Sequence, residues 1–379
     1  MIFEADTRKV KETVSILQSL YTASEWAKKE TSWVELKVEQ ERVTITSNGL
    51  KPFPFQVTLE EAEPILEGRV RVNIRDFYNV LKTYEKDSET LLFERDAGEL
   101  RIDDGVYPAE IILLNEENEL EDGFSLSKPQ SGEGFEIPVG PLNEALALAR
   151  QLIRSTFLPA TGMVGLGKER DGLLIRGFNL TEMYEAKIPL SESVVSGWCL
   201  LSKADASRLG KFIDRIKHEE TIQLAWRDGW LYVQHGSFLL AFPAPSDPES
   251  ETIFQILPFH GMKETEKAAD IGLNRLKKLV SVPKGKELDA VGFVWRGSMF
   301  ERVPEEGVAE LAVPCKTLQR IVSKWPHDRL RVKKGVAENG SPLILESEMD
   351  GIRHLYILMP LESVTDEASS VNRTEAKTA

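Results

Sequence analysis

The sequence predicts an α+β chain of three similar domains, each with two helices packed on antiparallel sheets. A strand-then-helix segment recurs at 70–81 (VRVNIRDFYNVL), 198–209 (WCLLSKADASRL) and 310–321 (ELAVPCKTLQRI). Each copy runs into β-rich sequence, at 90–102, 221–233 and 330–345, and closes on a short apolar strand at 106–113, 238–242 and 354–359. The copies lie a domain length apart, too far for a solenoid of small repeats. The strands between them alternate apolar with polar residues, which suits antiparallel sheets with one wet face.

Taken in order, residues 6–20 form a first helix after Ile2-Phe3-Glu4. Trp33 to Val38 and Arg42 to Ile45 are alternating strands. A helix over 73–86 buries Phe77, Val80, Leu81 and Tyr84. Pro108 marks the 106–113 strand as a sheet edge, because proline has no N–H for a ladder. Residues 116–134 are acidic and then rich in Ser and Gly, the composition of a linker. The second domain repeats the plan: a helix over 141–154 after Phe135-Glu136-Ile137, a strand at 173–176, and a helix over 203–217. In that last helix Leu209, Phe212, Ile213 and Ile216 make one apolar stripe. Pro245 and Pro248 sit among acids and serines in a second linker. The third domain carries helices over 270–280 and 315–324, the latter burying Leu318, Ile321 and Val322, with fewer strands between 287 and 303. The expected boundaries are 1–115, linker 116–134, 135–248, 249–361 and a disordered polar tail at 362–379.

Composition excludes several classes. No apolar run approaches the roughly 20 residues that cross a bilayer, so no membrane association is expected. The start, Met1-Ile2-Phe3-Glu4-Ala5-Asp6, lacks the basic and apolar regions of a secretory signal. Cys199 and Cys315 make no disulfide framework, which fits a reducing, cytoplasmic setting, and they read as small buried apolar residues. The five histidines show no metal-ligand spacing, and no cofactor is expected. No nucleophile–base constellation stands out, so the chain reads as a non-enzyme.

The net charge of −14 argues against nucleic acid, but its distribution does not. The six helices carry Arg8, Lys9 and Lys11; Arg75, Lys82 and Lys86; Arg150 and Arg154; Lys203, Arg208, Lys211 and Arg215; Arg275, Lys277 and Lys278, with Lys284 and Lys286 following; and Lys316, Arg320 and Lys324. Together they hold about 21 basic and 8 acidic residues, leaving about −27 on the remainder. Wet faces of amphipathic helices commonly carry lysine. A bias shared by all six in an acidic chain points further, to one convergent cationic surface suited to phosphate backbone. The basic helix faces are read as carrying no interleaved aromatic residue, so base stacking on single strands is not expected.

At its C-terminal end the chain reads Arg353-His354-Leu355-Tyr356-Ile357-Leu358-Met359-Pro360-Leu361. This resembles the last strand of bacterial sliding clamps, the β subunit of DNA polymerase III. Thr161-Gly162-Met163-Val164 and residues 173–186 are similar to that family's middle-domain strand pair. The resemblance covers 1–361 in domain architecture. It implies the DNA-clamp fold and a crescent-shaped protomer that pairs head to tail into a homodimeric ring around double-stranded DNA. The helices above would line the hole. It implies a nucleoid-associated processivity factor with a groove for peptides of the DNA polymerase III catalytic subunit, the clamp loader and other clamp-binding proteins. Carried over by position, the groove would use Ala160, Phe178, Met183, Ile256, Ile357, Leu358, Met359, Pro360 and Leu361. The family's basic pair in the middle-domain turn is absent here, where Asn179-Leu180-Thr181-Glu182-Met183 stands.

Rival readings are a clamp-like paralogue, phage or plasmid version, a structural assembly protein, and a nucleotide binder. The last rests on Gly162-Met163-Val164-Gly165-Leu166-Gly167-Lys168, which fits seven positions of a P-loop. Glu169 stands where Ser or Thr should hold magnesium, and the stretch runs into a turn and strand instead of a helix.

Overall fold

The computed structural model describes residues 1–28, 32–47, 53–84, 89–113, 126, 134–153, 162–169, 171–179, 181–190, 197–245, 251–252, 254, 263–282, 288–304, 307–336 and 341–360. The chain divides into two compact units, Met1–Asn143 with Ala204–Ser246, and Glu144–Lys203 with Asp247–Ala379.

The element order repeats three times: strand, helix, three strands, strand, helix, three strands. The first pass is β1 (Ile2–Asp6), α1 (Thr7–Leu20), a short α2 (Ala23–Ala27), β2 (Trp33–Glu39), β3 (Arg42–Ser47), β4 (Phe55–Thr58), an added β5 (Ala62–Leu66), β6 (Gly68–Asn73), α3 (Ile74–Thr83), β7 (Thr90–Asp96), β8 (Glu99–Asp103) and β9 (Ala109–Ile112). The second is β10 (Phe135–Pro138), α4 (Val139–Leu152), β11 (Met163–Glu169), β12 (Gly172–Phe178), β13 (Glu182–Pro189), β14 (Gly197–Ser202), α5 (Lys203–Ile213), β15 (Thr221–Arg227), β16 (Trp230–His235) and β17 (Phe238–Pro243). The third is β18 (Lys263–Gly272), α6 (Leu273–Val280), β19 (Ala290–Arg296), β20 (Met299–Arg302), β21 (Leu311–Pro314), α7 (Cys315–Ser323), β22 (Arg329–Val336), β23 (Leu343–Met349) and β24 (Ile352–Leu358). Among the described residues the third pass has two strands after its first helix, as the sequence between 287 and 303 predicts.

Local chemistry accounts for these boundaries. The Asp6 side chain caps α1 by accepting from Lys9 N at 2.7 Å, and Asn73 caps α3 by accepting from Arg75 N at 3.0 Å. Thr22 and Glu25 form a reciprocal capping box that starts α2, a helix not expected from the sequence. Asp228-Gly229 and Asp350-Gly351 both adopt left-handed φ, which fits two-residue hairpins whose twist matches the strands. One strand is shorter than expected. Asp103 accepts from Gly105 N and Asp104 from Val106 N and Tyr107 N, so a turn holds this stretch and Pro108 precedes β9 instead of lying within it.

The sheets are built from one motif: a strand that feeds a helix, beside a meander of up to three strands. In the first unit an eight-stranded sheet runs β10-β15-β16-β17-β4-β3-β2-β6, and a five-stranded sheet runs β5-β1-β7-β8-β9. In the second an eight-stranded sheet runs β14-β11-β12-β13-β24-β23-β22-β18, and a three-stranded sheet runs β20-β19-β21. All pairings are antiparallel, as expected. Each eight-stranded sheet is two motifs joined through their last strands. Leu240 pairs with Phe55 at one joint and Met183 with Ile357 at the other. The two smaller sheets leave β9 and β20, their own last strands, at an edge. Helices bury their apolar stripes beneath the sheets: Val10, Val14 and Leu17 of α1, Phe77 and Leu81 of α3, and Leu318, Ile321 and Val322 of α7. Phe3 stacks on Phe93 at 4.4 Å, and Phe53 packs against Tyr21, Phe55 and Phe242.

Candidate nucleic-acid and peptide surfaces

Most of the predicted cations are exposed, and several, exposed Lys211 among them, also bond neighbouring groups. Arg8, Arg75, Lys82, Lys203, Lys211, Arg215, Arg275, Lys278, Lys316 and Lys324 are exposed. Lys9 pairs with Glu60 at 3.4 Å and Glu61 at 3.8 Å on the surface. Lys11 Nζ donates to the Tyr84 carbonyl at 2.7 Å, Lys211 Nζ to the Ser19 carbonyl at 3.0 Å, and Arg150 Nε to the Leu146 carbonyl at 3.2 Å. Lys86 and Arg154 lie outside the described residues, as do Lys284 and Lys286. Helices α1 and α3 pack together, and between them Arg8, Lys11 and Lys82 line a cavity of about 720 Å³ with Glu12, Tyr78 and Thr7.

Two arginines do not do what the sequence predicts. Arg208 is 5% exposed. Its guanidinium pairs with Asp205 at 2.6 Å and with Glu25 of α2, and lies 5.5 Å from the Phe53 ring centroid. Burial works to raise the Glu25 carboxyl, but the Thr22 N–H, Arg208 and the Thr22 hydroxyl outweigh it and hold the group below its ordinary value. Arg208 is thus an internal ion-pair residue, withdrawn from any DNA-facing surface. Arg320 is half-buried and pairs with the buried carboxylate of Glu182, which also accepts from the Tyr356 hydroxyl. Its charge is neutralised within the fold.

The predicted groove residues meet at the β13–β24 joint. Phe178 pairs with Met183 across β12 and β13, and Met183 pairs with Ile357 across β13 and β24. Met183 touches two buried clusters on one sheet face, Phe178 with Leu200 and Phe254, and Ile344 with Leu355 and Ile357. Met359 N donates to the Thr181 carbonyl at 2.9 Å, so the chain stays pinned past β24, with Met359 and Pro360 half-exposed. Leu358 departs from the expectation. It is 1% exposed and, one residue from Ile357, points to the opposite face. Ala160, Ile256 and Leu361 lie outside the described residues.

Several side chains at this joint were not expected. Phe254 is fully buried against Phe178 and Trp198. A Cβ on Gly165 would come within 2.4 Å of the Phe254 ring, and one on Gly167 within 2.7 Å of Trp198. Alternate glycines in a strand are the sequence signal of such close approach. Arg176 pairs with Glu185 at 2.5 Å, lies over Trp198 at 4.9 Å and donates to the Phe254 carbonyl. Its charge, like that of Arg320, is balanced by a carboxylate within the fold. On the opposite face, Tyr184 bonds His354 Nδ1 at 2.7 Å, and His327 stands edge-on to His354 at 4.8 Å.

The P-loop reading fails on geometry. Met163–Glu169 is a strand paired with both β12 and β14, and Lys168 is 8% exposed within it. A phosphate cradle needs a loop that opens a helix.

No protein-family model and no curated relative matches the chain. Solved structures do. The DNA polymerase sliding clamp of Bacillus subtilis is similar with a TM-score of 0.75 at 12% identity, over 96% of this chain and 99% of that one. A putative DNA polymerase III beta subunit from Eubacterium rectale gives 0.76 at 11% identity, over 96% and 100%. The fold is that of the bacterial sliding clamp. The Helicobacter pylori beta clamp bound to a DNA ligase peptide shares this clamp fold with a TM-score of 0.71 at 12% identity, over 96% and 100%. The α+β clamp architecture expected from the sequence is therefore present. Among the described residues, no helix is long and apolar enough to cross a membrane.

Proposed function

We propose that this chain is a DNA sliding clamp, a non-enzymatic processivity factor whose two copies close head to tail around duplex DNA. The observation that carries this reading is the unequal sheet count. Four motifs are already joined in pairs through their last strands, while β9 and β20 remain at edges. The five- and three-stranded sheets of two copies would join there by the same rule, as the eight-stranded sheets do. Both edges carry apolar side chains in water: Tyr107 is 74% and Ile112 77% exposed near β9, and Met299 is 50% exposed in β20. Three passes per chain, expected as domains 1–115, 135–248 and 249–361, make six around the ring, with exposed helix cations toward phosphate. Contacts to phosphate without base readout permit sliding.

The joint around Phe178, Met183, Ile357 and Met359 is read as the docking place for apolar linear peptides of a polymerase III catalytic subunit, a clamp loader and other DNA-processing proteins. Methionine-containing clefts adapt to varied ligands. The cellular setting read for this protein is the nucleoid.

Retention on DNA tests the reading. The protein, loaded on nicked circular duplex, should remain bound and then slide off after linearisation. Ile112→Lys or Met299→Asp should yield a monomer by light scattering and abolish retention. Retention that survives linearisation would reject a topological clamp. Filaments in place of dimers would favour the assembly-protein reading, since a head-to-tail contact that does not close propagates.

A further inference from the structure

The cavity between α1 and α3 holds more than charge. Arg8, Lys11 and Lys82 contribute three cations against one carboxylate, Glu12. Tyr78 lies in the same wall, half-buried, with Lys82 Nζ 4.7 Å above its ring centroid. Trp26 meets Tyr78 at 5.8 Å in a T-shaped contact and braces the ring. Thr7, 1% exposed, also lines the cavity, and its hydroxyl has no hydrogen-bond partner among the described residues. Arg8 is exposed, while Lys82 touches the Tyr78 ring through a long flexible stem that a ligand can push aside. An aromatic face and convergent cations are two independent features of one cavity. Its volume, about 720 Å³, lies within the range of small-ligand sites.

From this we infer a site for a phosphorylated nucleoside, either a free nucleotide or one unpaired residue of a strand. The base stacks on Tyr78 and displaces the Lys82 ammonium toward the phosphate beside exposed Arg8, and Lys11 joins them by giving up its bond to the Tyr84 carbonyl. Duplex DNA cannot use the ring, because its bases are already stacked. The inference deepens the proposed DNA-facing role of these helices and fails separately from it.

The test uses the full-length protein and a labelled oligothymidylate at low salt, with a blunt duplex in parallel. Tyr78→Leu should weaken single-strand binding about tenfold, Tyr78→Phe should restore it, and duplex binding should not change. Competition by thymidine monophosphate identifies a free nucleotide as a ligand, and its failure identifies an unpaired strand residue. If Tyr78→Leu does not fold, photo-crosslinking of an iodouracil oligonucleotide to the unmodified protein should place the adduct on Tyr78. An adduct elsewhere overturns the site. So does a silent Tyr78→Leu when Arg8→Ala and Lys82→Ala weaken single strand and duplex equally. Tyr78-dependent binding with no retention on circular duplex would sink the clamp reading alone.

Discussion

His354 is fully buried, and its Nε2 has no hydrogen-bond partner among the described residues. Burial, and then the neighbouring His327, press its pKa down to about 3 from an ordinary 6.5. Between those values the unfolded chain binds a proton that the folded chain refuses, so stability is complete above about pH 6.5 and falls as the medium is acidified toward 3. Burial also lowers His327, which adds in the same direction. Urea unfolding should lose about 1.4 kcal/mol per pH unit from this group at mid-window, and His354→Gln should flatten that slope. An unchanged slope would mean that His354 is hydrated. Arg208 gives a second prediction. Arg208→Ala removes the buried guanidinium shared by the Asp205 and Glu25 carboxylates and should cost about 3 kcal/mol in chemical denaturation. Arg208→Lys should recover little of this, because an ammonium cannot replace the planar fork.

The β11 strand shows how an element carries both packing and site. Its alternate glycines admit Phe254 and Trp198 to one sheet face, and Arg176 and Glu185 hold the covering residue from the neighbouring strands. Gly165→Ala should therefore expel the Phe254 ring and cost about 1–3 kcal/mol, read as a lowered melting temperature with red-shifted Trp198 emission. Helices were legible in sequence because caps and stripes are local. Asp6 and Asn73 mark starts, and the i, i+3, i+4, i+7 apolar positions mark the buried face. What hid from the sequence was contact across distance. Arg208 shares a spacing with Lys211 and Arg215, yet its partner Glu25 lies 183 positions earlier. Tyr78 of α3 gains cationic neighbours only because α1 brings Arg8 and Lys11 to the same cavity.

Over the whole molecule, a chain of net charge −14 offers a phosphate backbone an attractive surface only where its positive helices act together, as the proposed clamp requires. The exposed set Lys203, Lys211 and Arg215 is the fair test, with Arg208 left intact. Reversing all three to Glu should weaken retention on circular duplex and reduce its salt dependence, while the dimer persists in light scattering. Full retention in that variant would remove α5 from the proposed DNA-facing surface.

By itself, the amino-acid order determined the triplicated plan, the antiparallel strands, the positions of the cation-bearing helices and the surplus of positive charge on them. Each of these is written in short-range periodicity, which a chain obeys before it folds. Only the tertiary structure decided which cations stay in water, which ring and hydroxyl share a cavity, and which strands are left at an edge. Those outcomes depend on burial by residues far away in the chain, and no local pattern encodes them.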